Sequence, residues 1–332
     1  MSRPQKADVV TIGESMVLFQ PSPEGTIPYA PQFTSSIGGA ESNLAFALSR
    51  LGKKVRWISA LGTDPFGDLI MTRLMGEGVD VSQVIRDEAA PTAVFFKESK
   101  GYGDPNVYYY RRGSAASRLS PEHIRNEWFD GARHLHVTGI TPALGESTAE
   151  MVKQAMKQAK EQGLTVSLDP NIRRKLWEEE EAREVILSLI PLCDLFLPGE
   201  EEAAFLLGEK NSWSDYAKEF QDMGPSIVVM KRGEDGASVK YGENTREEAG
   251  FPVKYVVDTV GAGDAFAAGI LSVLLEEEQP FQLSSLEKSV PKAMRRAVVM
   301  GALATQFKGD WEGSPTLAEL ESFSGESQHI TR

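Results

Sequence analysis

The chain has 332 residues and a formal net charge of −13, with 35 lysines and arginines against 48 aspartates and glutamates. Hydrophobic residues make up 41% of the chain and charged residues 25%, values typical of a globular protein that argue against wholesale disorder. The acidic balance disfavours general binding to nucleic acid or to an anionic membrane.

The cysteine content and the lengths of the apolar runs exclude further classes of protein. Cys193 is the single cysteine, which excludes a disulfide framework and any multi-cysteine zinc or iron–sulfur site. The longest apolar runs, 265–275 and 297–307, have about 11 residues each, against the roughly 20 that a membrane-spanning helix needs. The apolar stretch at 9–12 is too short for the hydrophobic region of a secretory signal. We therefore expect a cytoplasmic protein.

The first part of the chain alternates strand-like and helix-like segments. Residues 9–12 predict a strand, and residues 41–51 predict an amphipathic helix that ends at Gly52. Residues 55–61 predict the next strand, and residues 66–76 predict the helix after it.

Three strand-like segments interrupt this alternation: 16–33, 92–98 and 107–112. The first is punctuated by four prolines, and the other two are joined by a Gly/Pro-rich turn over 100–106. We expect a small β-sheet built from two lid segments, about 14–37 and 90–113, inserted into one domain that spans residues 1–332. Such a lid is expected over the carboxyl ends of the main strands, where open α/β sheets bind ligands.

Strands and helices alternate again between about residues 130 and 240. The predicted strands are 135–138, 164–168, 194–197 and 227–230. The predicted helices are 147–162, 178–190, 200–207 and 215–223. This alternation predicts an α/β fold with right-handed βαβ units on a mostly parallel sheet.

Several common catalytic motifs are absent from the sequence. There is no G-x-x-x-x-G-K-[ST] phosphate loop, no H-E-x-x-H and no G-x-S-x-G. No G-x-G-x-x-G follows the first strand, which disfavours an NAD-dependent enzyme. His134 and His136 flank Leu135 within a predicted strand, and we expect them to be structural.

The strongest signal is the run from Asp258 to Asp264, which reads D-T-V-G-A-G-D and opens an apolar helix. The backbone N–H groups of Gly261, Ala262 and Gly263 would lie at the N-terminus of that helix, which favours an anion. Asp264 lies in the first turn beside that anion. An anion hole next to a fixed carboxylate is what phosphoryl transfer onto a hydroxyl group requires.

This run resembles the C-terminal signature of the ribokinase-like, or phosphofructokinase-B, carbohydrate kinase family. The segment containing Gly38, Gly39 and Asn43 resembles the N-terminal signature, and the resemblance extends over roughly residues 7–320. It implies a three-layer α/β sandwich with a small β lid, the use of ATP and Mg²⁺, and Asp264 as the catalytic base. Gly38 and Gly39 would let the backbone approach a polyol, and Asn43 can hydrogen-bond to its hydroxyls.

Two segments bear on the sugar. Tyr109 and Arg111 lie on a predicted lid strand, and Arg173 follows a strand end in the sequence D-P-N-I-R. Paired arginines suit a carboxylate or phosphate on the substrate. The pattern resembles the 2-keto-3-deoxygluconate kinases of the family, which implies that Tyr109 contacts the sugar acid and that Arg111 and Arg173 hold its carboxylate or hydroxyls.

Two departures from the family pattern leave alternative functions open. Phe95, also expected at the sugar, stands where sugar-acid kinases of this type often have tyrosine, and a fructokinase of the same family is the first alternative. Gly199 replaces an asparagine that the family often has near the magnesium–water network. A sugar-binding regulator that has lost catalysis is the alternative from another class.

The resemblance also implies residues for the nucleotide and for ions. The implied ATP-binding residues are Asn171, Lys231, Gly233, Gly236, Gly261, Gly263 and Gly301. A plain hairpin turn explains the glycines at 233 and 236 equally well, and packing of a predicted helix over 288–307 explains Gly301. Glu202 would support Mg²⁺ indirectly, and Asp258 with Val260 would bind a monovalent cation such as K⁺. Because unpaired strand edges associate readily, we expect a homo-oligomer.

Overall fold

The computed structural model describes residues 6–99 and 105–324 of the chain. The predicted turn over 100–106 therefore falls mostly outside the described residues.

Fourteen strands lie in the described residues: β1 (Val9–Ile12), β2 (Met16–Ser22), β3 (Gln32–Gly38), β4 (Val55–Ile58), β5 (Ala60–Gly62), β6 (Ile85–Asp87), β7 (Val94–Glu98), β8 (Asn106–Tyr110), β9 (His134–Thr138), β10 (Thr165–Asp169), β11 (Leu195–Phe196), β12 (Ile227–Lys231), β13 (Ala237–Tyr241) and β14 (Asn244–Glu248). The same part of the chain forms nine α-helices: α1 (Ala40–Arg50), α2 (Pro65–Gly76), α3 (Glu146–Glu161), α4 (Glu179–Leu189), α5 (Glu200–Leu207), α6 (Trp213–Asp222), α7 (Ala262–Leu274), α8 (Leu283–Ala304) and α9 (Leu317–Ser324).

Eight strands form the main sheet, in the order β14-β13-β12-β11-β10-β9-β1-β4. The strands from β12 to β4 are parallel, and β13 and β14 add an antiparallel hairpin at one edge. All four residues of β1 are buried, as expected for a parallel strand covered on both faces. The parallel order brings the carboxyl ends of β1, β9 and β10 to one edge of the sheet.

Helices cover both faces of the main sheet. Residues of α1, α7 and α8, such as Leu44, Leu271 and Met300, form the core on one face. Residues of α3 and α6, such as Met151 and Phe220, form the core on the other. This three-layer α/β arrangement confirms the predicted fold class. No helix among the described residues is both long enough and apolar enough to cross a membrane.

A second sheet of four strands, in the order β3-β2-β7-β8, lies apart from the main one. We call these four strands the lid sheet. They come from the two chain segments predicted for it. Phe95 and Leu18 belong to a small apolar cluster of this sheet. Phe96 stacks on Phe19 at 5.3 Å and meets the edge of Tyr110 at 5.7 Å.

Among the elements that differ from the sequence-based prediction, three are informative. The predicted strand over 55–61 divides into β4 and β5, and β5 pairs with β6 outside the main sheet. The hairpin β13–β14 was not predicted, because the β14 sequence N-T-R-E-E has no apolar alternation. Helix α8 begins at Leu283, not at 288, with Pro291 inside it, and ends three residues before 307.

Helices α7 and α8 pack so closely that one glycine is required at their contact. A Cβ atom on Gly269 would lie 2.6 Å from the Cα of Ala297. The absence of a side chain therefore lets the two helix backbones approach.

Three buried groups, two imidazoles and one thiol, are structural. His134 contacts the hydroxyls of Thr165 and Ser167 at 2.8 and 2.7 Å, and His136 contacts the Ser167 hydroxyl at 2.8 Å. The thiol of Cys193 is buried, where it donates to the carbonyl of Ile190 at 3.2 Å. Burial raises the pKa of this thiol.

Candidate active site

A cleft of about 580 Å³ lies between the lid sheet and the segments that follow β1, β9 and β10. Nine of the residues predicted for the site line it: Gly38, Gly39, Asn43, Phe95, Tyr109, Arg111, Arg173, Gly261 and Asp264. The two signature segments, more than 200 residues apart in the chain, therefore meet at one cavity.

The N-terminus of α7 is where the sequence predicts an anion hole. Gly261 is the N-cap, with φ of +79°, and a Cβ atom there would lie 1.7 Å from the carbonyl oxygen of Asp310. The first intrahelical bond runs from the amide of Ala265 to the carbonyl of Gly261 at 2.9 Å. Within the described residues, the amides of Gly261, Gly263 and Asp264 have no backbone acceptor, so they can receive an anion. The amide of Ala262, also predicted for the anion hole, instead donates to the carbonyl of Thr259 at 3.4 Å.

Asp264 lies in the first turn of α7 with only 8% of its surface exposed. The side-chain amide of Asn43 donates to its Oδ2 at 2.8 Å. Burial raises the pKa of Asp264 to about 7, although the Asn43 hydrogen bond lowers it. A carboxyl group that titrates near neutral pH suits a general base.

The glycine pair of the N-terminal signature makes room for other protein atoms. A Cβ atom on Gly38 would lie 2.2 Å from Oδ2 of Asp310, and one on Gly39 would lie 2.2 Å from the carbonyl oxygen of Glu14. The sequence interpretation assigned this room to a polyol. The structure shows that it brings Asp310 and Glu14 to the cleft wall.

Asp310 is a cleft residue that was not among the predicted site residues. Its side chain is buried, and its Oδ1 has no hydrogen-bond partner among the described residues. Burial raises its pKa to about 7, although the charge of Lys97 lowers it. The sequence run G-D-W-E at 309–312 was the available signal, but nothing in it indicated which residue faces the cleft.

Arg111 is held by acidic and aromatic neighbours. Its Nη2 lies 2.6 Å from Oε2 of Glu14, and Ser114 donates to Oε1 of Glu14 at 2.6 Å. The guanidinium carbon lies 5.7 Å from the ring centre of Tyr109, which stacks on Phe95. Arg111 is therefore fixed in place, and Glu14 offsets part of its charge.

Arg173 is exposed and, within the described residues, makes no ion pair within 4.0 Å. Its charge lowers the pKa values of Asp264 and Asp310, so it acts on both carboxyl groups. The neighbouring Arg174 instead lies 3.6 Å from Glu179. Arg112, beside Arg111, is exposed.

Three of the residues predicted for ATP and Mg²⁺ form a polar network near Asp264, outside the cleft lining. The Lys231 ammonium lies 2.8 and 2.6 Å from the two carboxylate oxygens of Asp169, and its pKa is raised by Asp169, Glu202 and Asp264 although burial lowers it. The backbone N–H of Asn171, a residue with φ of +35°, donates to Oδ1 of Asp169 at 3.1 Å. The carboxylate of Glu202 accepts the amides of 172 and 199 at 2.8 and 2.7 Å.

The other predicted nucleotide residues also lie outside the cleft lining. Gly233 and Gly236, with φ of +55° and +97°, form the turn between β12 and β13. A Cβ atom on Gly301 would lie 3.3 Å from the carbonyl oxygen of Ala262, so Gly301 packs against the first turn of α7. A Cβ atom on Gly263 would lie 3.9 Å from the Lys231 ammonium, which places that ammonium beside the anion hole.

The carboxylates near the proposed anion hole fit Mg²⁺ only as an ion that they contact indirectly. Among the described residues, no group of three or more His, Cys, Asp or Glu side chains could hold a metal ion. Both Glu202 oxygens accept backbone amides, and both Asp169 oxygens face Lys231. These residues fit an ion that takes most of its ligands from nucleotide oxygens and water.

The donor groups do not fit K⁺ at the predicted position. The Asp258 carboxylate is already paired with the Lys97 ammonium, and both side chains are less than a tenth exposed.

Comparison with known proteins places the chain among sugar kinases. Residues 6–317 match the sequence profile described as pfkB family carbohydrate kinase. A 2-dehydro-3-deoxygluconokinase from Bacillus subtilis is 40% identical over 320 residues, or 96% of this chain and 95% of the relative. Fructokinase-1 from Zea mays is 32% identical over 314 residues, 94% of this chain and 96% of the relative.

Solved structures agree with this comparison. A PfkB protein from Polaromonas sp. JS666 has a TM-score of 0.85 and 38% identity, covering 95% of this chain and 99% of its own. A protein from Escherichia coli, solved in complex with ATP and Mg²⁺, has a TM-score of 0.84 and 27% identity, covering 97% of this chain and all of its own.

Proposed function

Because the chain belongs to the pfkB family of carbohydrate kinases, we propose that it transfers the γ-phosphoryl group of ATP to the primary hydroxyl of 2-keto-3-deoxygluconate. The observation that carries the choice of a sugar acid is the guanidinium of Arg173, which lines the cleft, has no ion pair among the described residues and acts electrostatically on Asp264. A cleft that keeps such a cation suits a substrate with a carboxylate.

The transfer step uses Asp264 and the amides before it. Asp264 takes the proton of the sugar hydroxyl as its oxygen forms a bond to the γ-phosphorus. The bond from that phosphorus to the bridging oxygen breaks, and ADP leaves with the electron pair. The free amides of Gly261, Gly263 and Asp264 stabilise the negative charge on the transferred group. The pKa of Asp264, near 7, supports its role as the base.

ATP and Mg²⁺ are the proposed co-substrate and cofactor, and the E. coli relative solved with both supports them. When bound, Mg²⁺ neutralises charge on the phosphate oxygens. Lys231 and Asn171, near the anion hole, are proposed on the nucleotide side. Glu202 keeps the backbone around them in position through its two amide contacts.

The sugar acid is proposed to bind between both walls of the cleft. Arg173 would pair with its carboxylate, and Arg111, fixed by Glu14, would add hydrogen bonds from the lid sheet. The unpartnered Oδ1 of Asp310 can accept a hydrogen bond from a hydroxyl group, and Asn43 can donate to or accept from another. Leaving these groups unpaired would penalise a sugar that cannot reach them.

A coupled ADP-release assay with 2-keto-3-deoxygluconate, fructose and ribose at equal concentrations tests the proposal. We expect a rate on the keto acid at least about tenfold above the others, which corresponds to about 1.4 kcal/mol. Arg173→Ala should raise KM for the keto acid by at least about tenfold, because a charge-assisted pair is lost. Arg112→Ala, which removes an exposed arginine outside the cleft lining, is the matched control.

A fructokinase is the second candidate. The identity with maize fructokinase-1 favours it, as does the pairing of Arg111 with Glu14, which leaves one free arginine rather than two. A higher rate on fructose would keep the kinase chemistry and overturn the proposed role of Arg173. No turnover on any sugar would favour a binding protein, with Gly199 the first residue to change.

A further inference from the structure

A buried ion pair joins the lid sheet to the loop that leads into the anion hole. Lys97 lies on β7, and its ammonium contacts Oδ2 of Asp258. The two side chains are 7% and 8% exposed. A pair this deeply desolvated requires good compensation from its surroundings.

The carboxylate of Asp258 also orders the loop that precedes the helix α7. Its Oδ1 accepts the amide of Val260 at 3.2 Å, and its Oδ2 lies 3.5 Å from the amide of Gly309. The amides of Val257 and Asp258 both donate to the carbonyl of Thr305, at 2.7 and 3.2 Å. One cationic group therefore sits where the loop before the anion hole meets the loop after α8.

This is the position at which the sequence resemblance implied a monovalent cation. A K⁺ ion there would need the Asp258 oxygen that faces Lys97. A second positive charge within a few ångströms of the ammonium would be repelled strongly, because the site is shielded from water. The side chain and the ion are thus alternatives for one place.

We propose that the ammonium of Lys97 takes the place of the monovalent cation, so that this kinase needs neither K⁺ nor Na⁺. Lys97 is a positioning residue: it holds Asp258, and Asp258 holds the backbone that leads to Gly261. This inference rests on the proposed kinase function for its activity readout, but not on which sugar is the substrate.

The first experiment compares wild-type enzyme with Lys97→Met in buffer free of alkali metal ions, with ATP, Mg²⁺ and whichever sugar gives turnover. KCl is titrated against tetramethylammonium chloride at constant ionic strength. We expect the wild-type rate to be unchanged by K⁺. Lys97→Met should lose at least about tenfold in rate, and K⁺ should restore part of it, whereas Li⁺, which is smaller and holds its water more tightly, should not.

Melting temperature provides a readout that does not require turnover. Lys97→Met leaves Asp258 buried without its partner, so its melting temperature should fall and then rise with KCl, but not with tetramethylammonium chloride. The double variant Lys97→Met/Asp258→Asn removes both charges and should fold, and K⁺ should not stabilise it. Lys292→Met on the exposed face of α8 is the control for loss of a lysine.

The outcomes separate the two proposals. Activation of the wild-type enzyme by K⁺, or full activity of Lys97→Met without K⁺, would overturn the role of Lys97. A stabilising effect of K⁺ on wild type equal to that on Lys97→Met would also overturn it. If no sugar is turned over by any variant, the proposed kinase function fails, and the melting temperatures still decide whether Lys97 occupies the cation position.

Discussion

Three carboxyl groups around the cleft have pKa values that burial raises to about 7: Glu41, Asp264 and Asp310. They differ in their partners. Asp264 accepts a hydrogen bond from Asn43, whereas Glu41 accepts hydrogen bonds from the hydroxyls of Thr138 and Thr141. Asp264 and Asp310 line the cleft, whereas Glu41 has no exposed surface and so cannot exchange a proton with a substrate.

Replacing Asp264 by asparagine should abolish turnover and retain sugar binding. The amide keeps the size of the side chain but cannot accept the hydroxyl proton, so kcat should fall by about 10²-fold to 10⁴-fold. ADP release measures kcat, and calorimetry measures the Kd for the keto acid. Asp222→Asn on the exposed end of α6 is the control. A near-normal kcat for Asp264→Asn would contradict the proposal that Asp264 is the catalytic base.

The pH dependence of kcat/KM should show the ionisation of Asp264. A base must be deprotonated, so the rate should rise between about pH 6 and pH 8, through an apparent pKa near 7. Asn43→Ala should move the rising limb to higher pH, because its hydrogen bond stabilises the charged form. A flat profile over this range in the wild-type enzyme would contradict the value for Asp264.

Glu41 should make the protein less stable as pH rises. Its pKa is about 7 in the folded chain against 4.5 for the free side chain, so the folded state binds more protons between these values. The advantage of Glu41→Gln over wild type in free energy of unfolding should therefore grow between about pH 5 and pH 8, by up to about 3 kcal/mol. Urea unfolding at both pH values measures it. The exposed Glu161→Gln should show no such growth.

At the scale of elements, the contact between α7 and α8 fixes the anion hole relative to the cleft. Ala262 begins α7 and touches Gly301 of α8, while Gly269 lies against Ala297 further along. Because the helix starts at the proposed anion hole, a displacement of α7 would move Asp264 as well. The close crossing thus supports the position of Asp264, the proposed base.

A methyl group at Gly269 should disturb this crossing. Gly269→Ala would place Cβ 2.6 Å from a backbone atom of α8, and overpacking of this kind destabilises by about 1–3 kcal/mol. Gly76→Ala, at the end of α2 with open space around it, should be neutral or stabilising by about 0.5 kcal/mol. Urea unfolding of both variants measures the difference. Equal free energies of unfolding for the two variants would mean that α8 moves away from the new methyl group without a loss of stability.

The elements that the sequence predicted well are those with a buried periodic pattern. Strand β1 and helix α5 were predicted with the observed bounds, and most others within a few residues. The hairpin β13–β14 was not predicted because β14 is held by backbone pairing to β13, and its side chains show no apolar alternation. Pro291 lies inside α8, where a sequence rule alone would have placed a helix boundary.

At the scale of the whole molecule, the fold brings segments that are far apart in the chain to one cleft. The sequence indicated Asn43 and Asp264 separately, but their 2.8 Å contact depends on the fold. Glu14 and Lys97 were not predicted, because an ion pair leaves no spacing pattern in the chain when its partners lie on different elements. Local signatures therefore indicated the residues that line the cleft better than the neighbours that hold them in place.

A sugar acid bound between the lid sheet and the main sheet should stabilise the whole chain. At about 100 times its Kd, the keto acid should add about 2.7 kcal/mol to the free energy of unfolding. Asp264→Asn should keep this gain, and Arg173→Ala should lose about half of it or more at the same concentration, because a tenfold higher Kd leaves a gain of about 1.4 kcal/mol. Thermal or urea unfolding with and without the sugar measures the effect. A gain from fructose but not from the keto acid would argue for the fructokinase alternative.

The burial of Cys193 has a practical consequence for following the lid sheet. The chain has no other cysteine, and a thiol in apolar surroundings with a raised pKa reacts slowly with alkylating reagents. Tyr110 on β8 is 65% exposed, so a cysteine introduced there would be the only readily labelled position. A fluorescent probe at that position could report the movement of the lid sheet during turnover in an otherwise native chain.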